Sequence, residues 1–147
     1  MDWYIDVFGV KLMMPIMKLD RSTMPDAPAF TVYPRSLQAF DVAFLTFGQG
    51  PVLELFEFKN PKMKLGEEFN FSRDYNKGGF FHLAITTDDV EGLCEKIFEK
   101  GGRKVGPLMQ PFQYNCYYVE DKWGNVLELM DFTLEDVVKA VQSPVEK

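Results

Sequence analysis

The sequence contains the same strand-like segment twice, and this repeat constrains the fold more than any other feature. Residues 50–58 and 124–132 match position by position, 74 residues apart (128 − 54), with Pro against Asn as the one dissimilar place. Each copy follows another strand-like run, residues 40–47 and 114–120, across a connection that contains Gly. Glycine readily reaches the positive φ angles that hairpin turns use. Two similar hairpins predict two copies of one supersecondary unit.

The second copy belongs to a complete unit. An apolar strand is predicted at residues 80–86, followed by a helix with Asp88 as its N-cap and Gly101-Gly102 at its end. One apolar stripe at helical spacing supports this helix and consists of Val90, Leu93, Cys94, Ile97 and Phe98. With a weak strand at residues 103–108, the unit has the order strand, helix and three strands.

The first copy begins with what resembles the end of the same helix, so that Gly9 corresponds to Gly102. The opening strand that carries His82 in the second unit then has no counterpart in this chain. The next strand is predicted at residues 11–18, at a sheet edge or with a bulge, because Pro15 has no N–H to donate. Residues 19–38 are predicted to form a long loop, either a lid over a ligand or an ordered surface excursion.

The chain is therefore predicted to be an α+β protein built from paired modules. Residues 1–58 form a first βαβββ module that is incomplete at its N-terminus, and residues 59–79 form a linker. Residues 80–132 form the second βαβββ module, and residues 133–147 form a C-terminal helix and tail. Thr133 with Asp136 is expected to cap that helix.

Composition excludes several classes of function. The net charge is −6, from 22 acidic and 16 basic residues, and Lys and Arg do not cluster, so neither nucleic acid nor membrane is an expected partner. No apolar run approaches the ~20 residues of a membrane span, and the first ten residues lack a signal pattern. A cytoplasmic protein is expected. Cys94 and Cys116 have neither CxxC spacing nor a scaffold-like density, which predicts two buried free thiols.

Three polar side chains stand within apolar strand faces. Glu54 and Glu128 occupy the same register of the two repeated strands, and His82 is the only histidine in the chain. A carboxylate buried without a partner is strongly destabilising, so a compensating partner is expected at both positions. Two carboxylates and one imidazole are a common ligand set for a divalent cation.

These residues also have ordinary structural interpretations. A single histidine in a strand is more often a hydrogen-bonded core residue than a ligand, and a glutamate in an alternating strand usually faces solvent. Phe56 and Met130 are typical packing residues. The duplication favours the functional interpretation, because a glutamate at one register of two related strands indicates two halves of one site.

Several segments resemble the glyoxalase, bleomycin-resistance and extradiol-dioxygenase superfamily, also called vicinal oxygen chelate proteins. They are residues 3–12, 81–85, 89–102 and 118–129. The resemblance implies paired βαβββ modules that form a half-barrel cleft around a metal ion, with the first strand of module one missing here. It makes Glu54, His82 and Glu128 the metal ligands and leaves the family's fourth ligand without a counterpart.

The resemblance also implies a function. The layout is similar to lactoylglutathione lyase-like proteins, which implies a metal-dependent lyase or isomerase acting on a small molecule through a metal-stabilised enediolate, with Glu128 or Glu54 as the base. The ion is Zn, Ni, Mn, Fe or Mg. The lost ligand is explained by truncation, by a segment from a partner subunit, or by water. A homodimer is expected, because the family often completes its clefts by dimerising and an open sheet edge favours pairing.

Two alternatives remain open. One is a non-catalytic, drug-sequestering protein like the bleomycin-resistance members, with an aromatic cleft for flat ligands. The other is a degenerate member with an interaction role. The residues expected to line the cleft or contact the ligand are Phe44, Phe56, Phe80, Met130, Arg73, Tyr75, Gln113 and Tyr117. The sequence leaves open the substrate and whether a thiol cosubstrate is used.

Overall fold

The computed structural model of the chain describes residues 1–64, 71–111 and 114–142. It divides into two compact units, Met1–Gly66 and Glu67–Lys147. Within the described residues, none of the helices is both long and apolar enough to span a membrane. Each unit contains one β-sheet with its own helices, so the predicted α+β class is confirmed.

The first unit is built around a central strand. Its elements are α1 (Asp2–Phe8), β1 (Lys11–Leu12), β2 (Met17–Asp20), α2 (Ala29–Val32), β3 (Ala39–Thr46) and β4 (Val52–Asn60). The two short strands β1 and β2 pair one after the other with the same side of β3, and β4 pairs with its other side, all antiparallel. The sheet is therefore an antiparallel meander whose first strand is broken.

That break confirms the expectation for Pro15. The strand predicted at residues 11–18 is two strands separated by residues 13–16, and it lies at the edge of the sheet, where a missing N–H is tolerated. The backbone N–H of Met13 still donates to the carbonyl of Phe44 at 2.9 Å. The chain thus stays on β3 across the interruption.

The segment predicted as a long loop is an ordered excursion that packs on one face of this sheet. It contains α2, and Phe30 and Leu37 are buried against Phe40 and Val42 of β3. The Phe30 ring meets the Phe40 ring edge to face at 5.8 Å between centroids. Aromatic packing of this kind holds the excursion in place without regular hydrogen bonding.

The second unit has the complete order that the sequence predicts. Its elements are α3 (Phe71–Asp74), β5 (Leu83–Thr86), α4 (Val90–Glu99), β6 (Arg103–Lys104), β7 (Cys116–Glu120), β8 (Val126–Met130) and α5 (Leu134–Gln142). The strand order is β5-β8-β7-β6, with β5 parallel to β8 and the other pairs antiparallel. The strand β5 begins at Leu83, later than the predicted residue 80. His82 therefore lies just before it.

The helix α4 covers one face of this sheet. Val90, Cys94 and Ile97 from the predicted apolar stripe are buried, and α4 packs on β6, β7 and β8. Its N-cap is Asp89, whose carboxylate accepts a hydrogen bond from the Gly92 N–H at 2.8 Å, so the prediction of Asp88 is wrong by one residue. Both residues are Asp, and sequence alone does not decide which of them adopts the cap conformation.

The two hairpins share one register, which confirms the repeat. Glu54 of β4 stands opposite Phe44, and Glu128 of β8 stands opposite Tyr118. The outer side of β8 is paired with β5, whereas no strand among the described residues pairs with the outer side of β4.

The helix ends correspond slightly differently from the prediction. Gly9 and Gly101 both adopt positive φ angles, 65° and 88°, where their helices end. Gly9 therefore corresponds to Gly101 and not to Gly102, because the residue that needs a left-handed backbone is the one that marks the end of a helix. Thr133 and Asp136 form the reciprocal hydrogen bonds of a capping box at the start of α5, as predicted.

The two adjacent aspartates at the start of α4 allow a matched test. Asp89→Ala should lower the free energy of unfolding by about 1 kcal/mol, because the Gly92 N–H loses its side-chain acceptor. Asp88→Ala should change it by less than about 0.5 kcal/mol. Urea denaturation followed by circular dichroism measures both. Equal losses in the two variants would contradict the assignment of Asp89 as the cap.

Candidate functional site

His82 and Glu128 meet on one face of the second sheet. Glu128 lies in the middle of β8, and His82 immediately precedes β5, the parallel neighbour of β8. The His82 Nε2 and the Glu128 Oε2 are 2.9 Å apart, and the side chains are 27% and 17% exposed. The second module therefore brings together two of the three residues predicted as metal ligands.

Two side chains of the neighbouring strand β7 lie beside the Glu128 carboxylate. The Cys116 thiol donates to Glu128 Oε1, with Sγ and Oε1 3.1 Å apart. Tyr118 lies directly across the ladder from Glu128, on the same strand face. The buried carboxylate thus receives its compensation from Cys116 and His82.

The environment keeps both side chains of β7 protonated. Burial, followed by the hydrogen bond to Glu128, raises the pKa of the Cys116 thiol to about 12. Burial, followed by the neighbouring Glu128 carboxylate, raises the pKa of the Tyr118 hydroxyl well above its ordinary value. At neutral pH each side chain is therefore protonated and not an anion beside the carboxylate.

An aromatic wall encloses the imidazole of His82. The Phe81 ring lies edge to face with it at 4.9 Å between centroids, and the Tyr118 ring does the same at 5.3 Å. Phe71 of α3 contacts both Phe81, at 5.5 Å, and Tyr118, at 6.1 Å. These rings limit the access of water to the pair of His82 and Glu128.

One ring nitrogen of His82 has an unmet hydrogen-bonding capacity. His82 Nδ1 is buried and has no hydrogen-bond partner among the described residues. A buried polar atom left unsatisfied is destabilising by roughly 1–3 kcal/mol. Such an atom beside a carboxylate is typical of a site whose bonding is completed by a ligand.

The donor atoms fit a divalent cation. An imidazole nitrogen and a carboxylate oxygen are ligands that Zn and related ions accept, and two atoms bound to one ion stand about 3 Å apart when each lies about 2 Å from it. His82 Nε2 and Glu128 Oε2 satisfy this separation. Within the described ranges, no three His, Cys, Asp or Glu side chains are grouped as a metal site, so the pair needs additional ligands.

Glu54 differs from Glu128 in its surroundings. It is exposed, although it has the equivalent position on β4. The expectation that a buried carboxylate is compensated in both copies therefore holds only for Glu128. Phe44, opposite Glu54, is half-buried and packs against the cluster beneath the excursion. Phe56 lies on the same strand face and stacks on Phe58 at 6.0 Å.

The other predicted contact residues fall in different places. Met130 shares the strand face of Glu128. Tyr117, expected to line the cleft, lies on the face of β7 opposite to that of Glu128, where its ring contacts Phe98 of α4. The physical reason is strand alternation, which directs Tyr118 and not Tyr117 toward Glu128.

Three further candidates also have defined positions. The Arg73 guanidinium pairs with the buried Asp74 at 2.7 Å. Phe80 is 88% exposed and Tyr75 is 58% exposed. Gln113 lies outside the described residues.

Sequence reasoning missed Cys116 and Tyr118 as site residues. Cys116 was expected only to be a buried free thiol, and both cysteines are indeed free and buried. A signal was present, because residues 116 and 118 share a strand face and the hairpin places that face beside Glu128. Counting register across the turn at residues 121–125 would have identified both.

Known proteins resemble this chain in sequence. A family model described as Glyoxalase/Bleomycin resistance protein/Dioxygenase superfamily matches residues 1–129. A probable lactoylglutathione lyase from Synechocystis sp. (strain ATCC 27184 / PCC 6803 / Kazusa) is 29% identical over 94 residues, which cover 62% of this chain and 66% of that protein. The chain thus spans slightly less than two thirds of this relative.

Solved structures share the fold. A glyoxalase family protein from Bacillus cereus superposes with a TM-score of 0.66 at 16% identity, over 86% of this chain and 80% of that one. Glyoxalase I from Zea mays superposes with a TM-score of 0.52 at 26% identity, over 90% of this chain and 39% of that one. The fosfomycin resistance protein FosX from Mesorhizobium loti superposes with a TM-score of 0.53 at 15% identity, over 92% of this chain and 82% of that one. With the family model matching most of its length, the chain belongs to the glyoxalase, bleomycin resistance protein and dioxygenase superfamily.

Proposed function

We propose that this chain is a metal-dependent, glyoxalase-like lyase or isomerase that acts on a small molecule. The observation that carries the proposal is the pair of His82 and Glu128, with Nε2 and Oε2 2.9 Å apart on one sheet face. A partly buried acid and imidazole at the separation of two ligands of one ion are typical of a reaction centre rather than of a core.

His82 and Glu128 would hold the cation, and Glu54 is proposed as a further ligand. The support for Glu54 is its register, because β4 and β8 carry the two glutamates at equivalent positions of repeated hairpins. The proposed ion is Zn, Ni, Mn, Fe or Mg. When bound, such an ion supplies Lewis-acid polarisation of neighbouring substrate oxygens.

Glu128 is proposed as the general base. Its carboxylate is mostly buried and held by a donor from β7, whereas the carboxylate of Glu54 is exposed. A base must lie at a fixed distance from the carbon-bound proton that it removes, and a held carboxylate provides this better than a mobile one. Phe71 and Phe81 pack against each other beside the pair of His82 and Glu128 and cover part of its surroundings with apolar surface.

The name of the Synechocystis relative gives the first reaction to assay. That protein is a probable lactoylglutathione lyase, and 29% identity over 62% of this chain supports the same substrate class for the present chain. We therefore propose that lactoylglutathione, or a similar thioester of a thiol and a small hydroxy acid, occupies the site.

Replacement of the proposed base gives a direct test. Glu128→Gln should leave the circular dichroism spectrum unchanged and lower the rate of lactoylglutathione formation or cleavage by about 10²–10⁴-fold, as expected when a general base is removed. Glu95→Gln, at an exposed glutamate of α4, is the matched control and should keep the wild-type rate. Full activity of Glu128→Gln would exclude Glu128 as the base.

A second candidate function is non-catalytic binding of a flat, drug-like molecule. The observation in its favour is the aromatic face of the first sheet, where Phe40, Phe56 and Phe58 stack and Phe56 is 37% exposed. Such a surface suits planar ligands without any metal.

Metal content separates the two functions. Protein purified without chelators should contain stoichiometric metal, and His82→Ala and Glu54→Gln should each reduce it, because each removes a proposed ligand. Glu57→Gln is the matched control for Glu54, since Glu57 lies on the other face of β4 and pairs with Lys59. Elemental analysis measures the content. Metal-free wild-type protein that takes up neither Zn nor Ni on dialysis would favour the binding function.

A homodimer is proposed as the working assembly. Among the described residues β4 has an unpaired outer edge, and exposed sheet edges tend to pair with another chain. Light scattering at micromolar concentration should give twice the chain mass of 17.0 kDa. A mass of one chain under these conditions would contradict this proposal.

A further inference from the structure

Two side chains of β7 lie beside the proposed base without being metal ligands in the proposed function. We propose that Cys116 and Tyr118 are positioning residues, which hold the Glu128 carboxylate in the single orientation that faces His82. The inference deepens the proposed function and rests on it, because the carboxylate they hold is the one assigned to the cation and to proton transfer.

The hydrogen bonds use both oxygens of the carboxylate. Cys116 Sγ lies 3.1 Å from Oε1, and His82 Nε2 lies 2.9 Å from Oε2. Rotation of the carboxylate about its last bond would move each oxygen away from its partner. The thiol therefore fixes the plane of the group, and Tyr118, directly opposite Glu128 in the ladder, stands on the same strand face.

The strand register places these donors where they act. Tyr118 is directly opposite Glu128 in the β7–β8 ladder, and Cys116 is opposite Met130, the next residue on the same face. Directly opposed and diagonal neighbours on one face of an antiparallel pair are within reach of each other. The contacts thus follow from regular strand geometry and need no strained backbone.

A nucleophilic role for the thiol is not supported by its surroundings. Cys116 is 2% exposed and donates its proton to a carboxylate, an arrangement that favours the thiol over the thiolate. The same surroundings suit a fixed hydrogen-bond donor. Weak S–H donors are effective when the acceptor is charged and water is excluded.

The chain offers a matched control for each residue. Cys94 is the other buried free thiol, on the helix side of the sheet, and Tyr117 is the adjacent tyrosine on the opposite face of β7. Cys94→Ala and Tyr117→Phe remove the same groups as Cys116→Ala and Tyr118→Phe, but away from Glu128. Tyr118→Phe is the decisive variant, because it keeps the ring and removes only the hydroxyl.

The first measurement uses His82 as a reporter in metal-free protein. Since it is the only histidine, its ring gives a single set of ¹⁵N and ¹H resonances. Cys116→Ala and Tyr118→Phe should shift these resonances, because a Glu128 carboxylate free to rotate changes its contact with His82 Nε2. Cys116→Ser, which retains a donor, should restore them in part. Cys94→Ala and Tyr117→Phe should leave them unchanged.

The second measurement is the affinity for Zn²⁺ alone, by competition with a chelating dye. Loss of either positioning residue should weaken binding by about 10–100-fold, the usual effect of removing a group that orients a metal ligand. The two control variants, Cys94→Ala and Tyr117→Phe, should bind Zn²⁺ with the affinity of the wild type, even if denaturation shows that they are less stable. A merely structural role would lower stability and leave the affinity for Zn²⁺ unchanged.

The outcomes distinguish this inference from the proposed function. If the His82 resonances of Tyr118→Phe coincide with those of the wild type, the positioning role is wrong whether or not Zn²⁺ binds. If the resonances shift but the wild type binds no Zn²⁺, the metal-dependent function fails and the positioning of Glu128 stands. Should Cys116→Ala not fold, Tyr118→Phe gives the decision on its own.

Discussion

The structure of the second module depends on how a carboxylate is accommodated in the middle of a largely apolar strand. Glu128 has buried neighbours on both sides along β8, and its charge is balanced by a thiol and an imidazole. Glu120, a buried acid on the adjacent strand, is instead neutralised by the guanidinium of Arg103 at 2.8 Å. An arginine partner makes a carboxylate a permanent structural element, whereas donors without a fixed positive charge leave it available to an added cation or a proton.

Much of the fold could be predicted from the sequence, because the repeat determines how the strands of each hairpin pair, which composition alone does not. Two copies of one hairpin determined the register that puts Glu54 and Glu128 at equivalent places, and the apolar stripe of α4 determined which side of the helix is buried. Pro15 correctly marked an edge strand with an interruption. These features depend on the spacing of apolar residues and on whether a residue has a backbone N–H, and both can be read from the sequence.

The errors arose where a shift of one residue along the chain changes the outcome, or where the outcome depends on which parts of the fold cover a side chain. Tyr117 and Tyr118 are chemically identical, and only the ladder register decides which of them meets Glu128. Asp88 and Asp89 present the same ambiguity at the start of α4. The exposure of Glu54 had no local signal, because the alternation of β4 gives its face but not what covers that face.

Superfamily membership leaves the chemistry to be decided by the site. Proteins named for glyoxalase activity and for fosfomycin resistance share this fold with the chain at low sequence identity, so the fold does not select between them. The distinguishing information lies in which side chains occupy the face of β8. Here that face carries an acid held by a thiol beside a tyrosine, which is a property of this chain's own residues.

The parallel pairing of β5 with β8 has a consequence for how the site comes into being. These strands are the first and the last of their module, and a parallel connection needs a long crossover, which here contains α4, β6 and β7. The contact between His82 and Glu128 therefore closes a large loop, whose entropic cost is offset by the packing of the elements between them. The hairpin of β7 and β8 by itself holds no imidazole beside the acid, so the pair of His82 and Glu128 exists only where β5 is paired with β8.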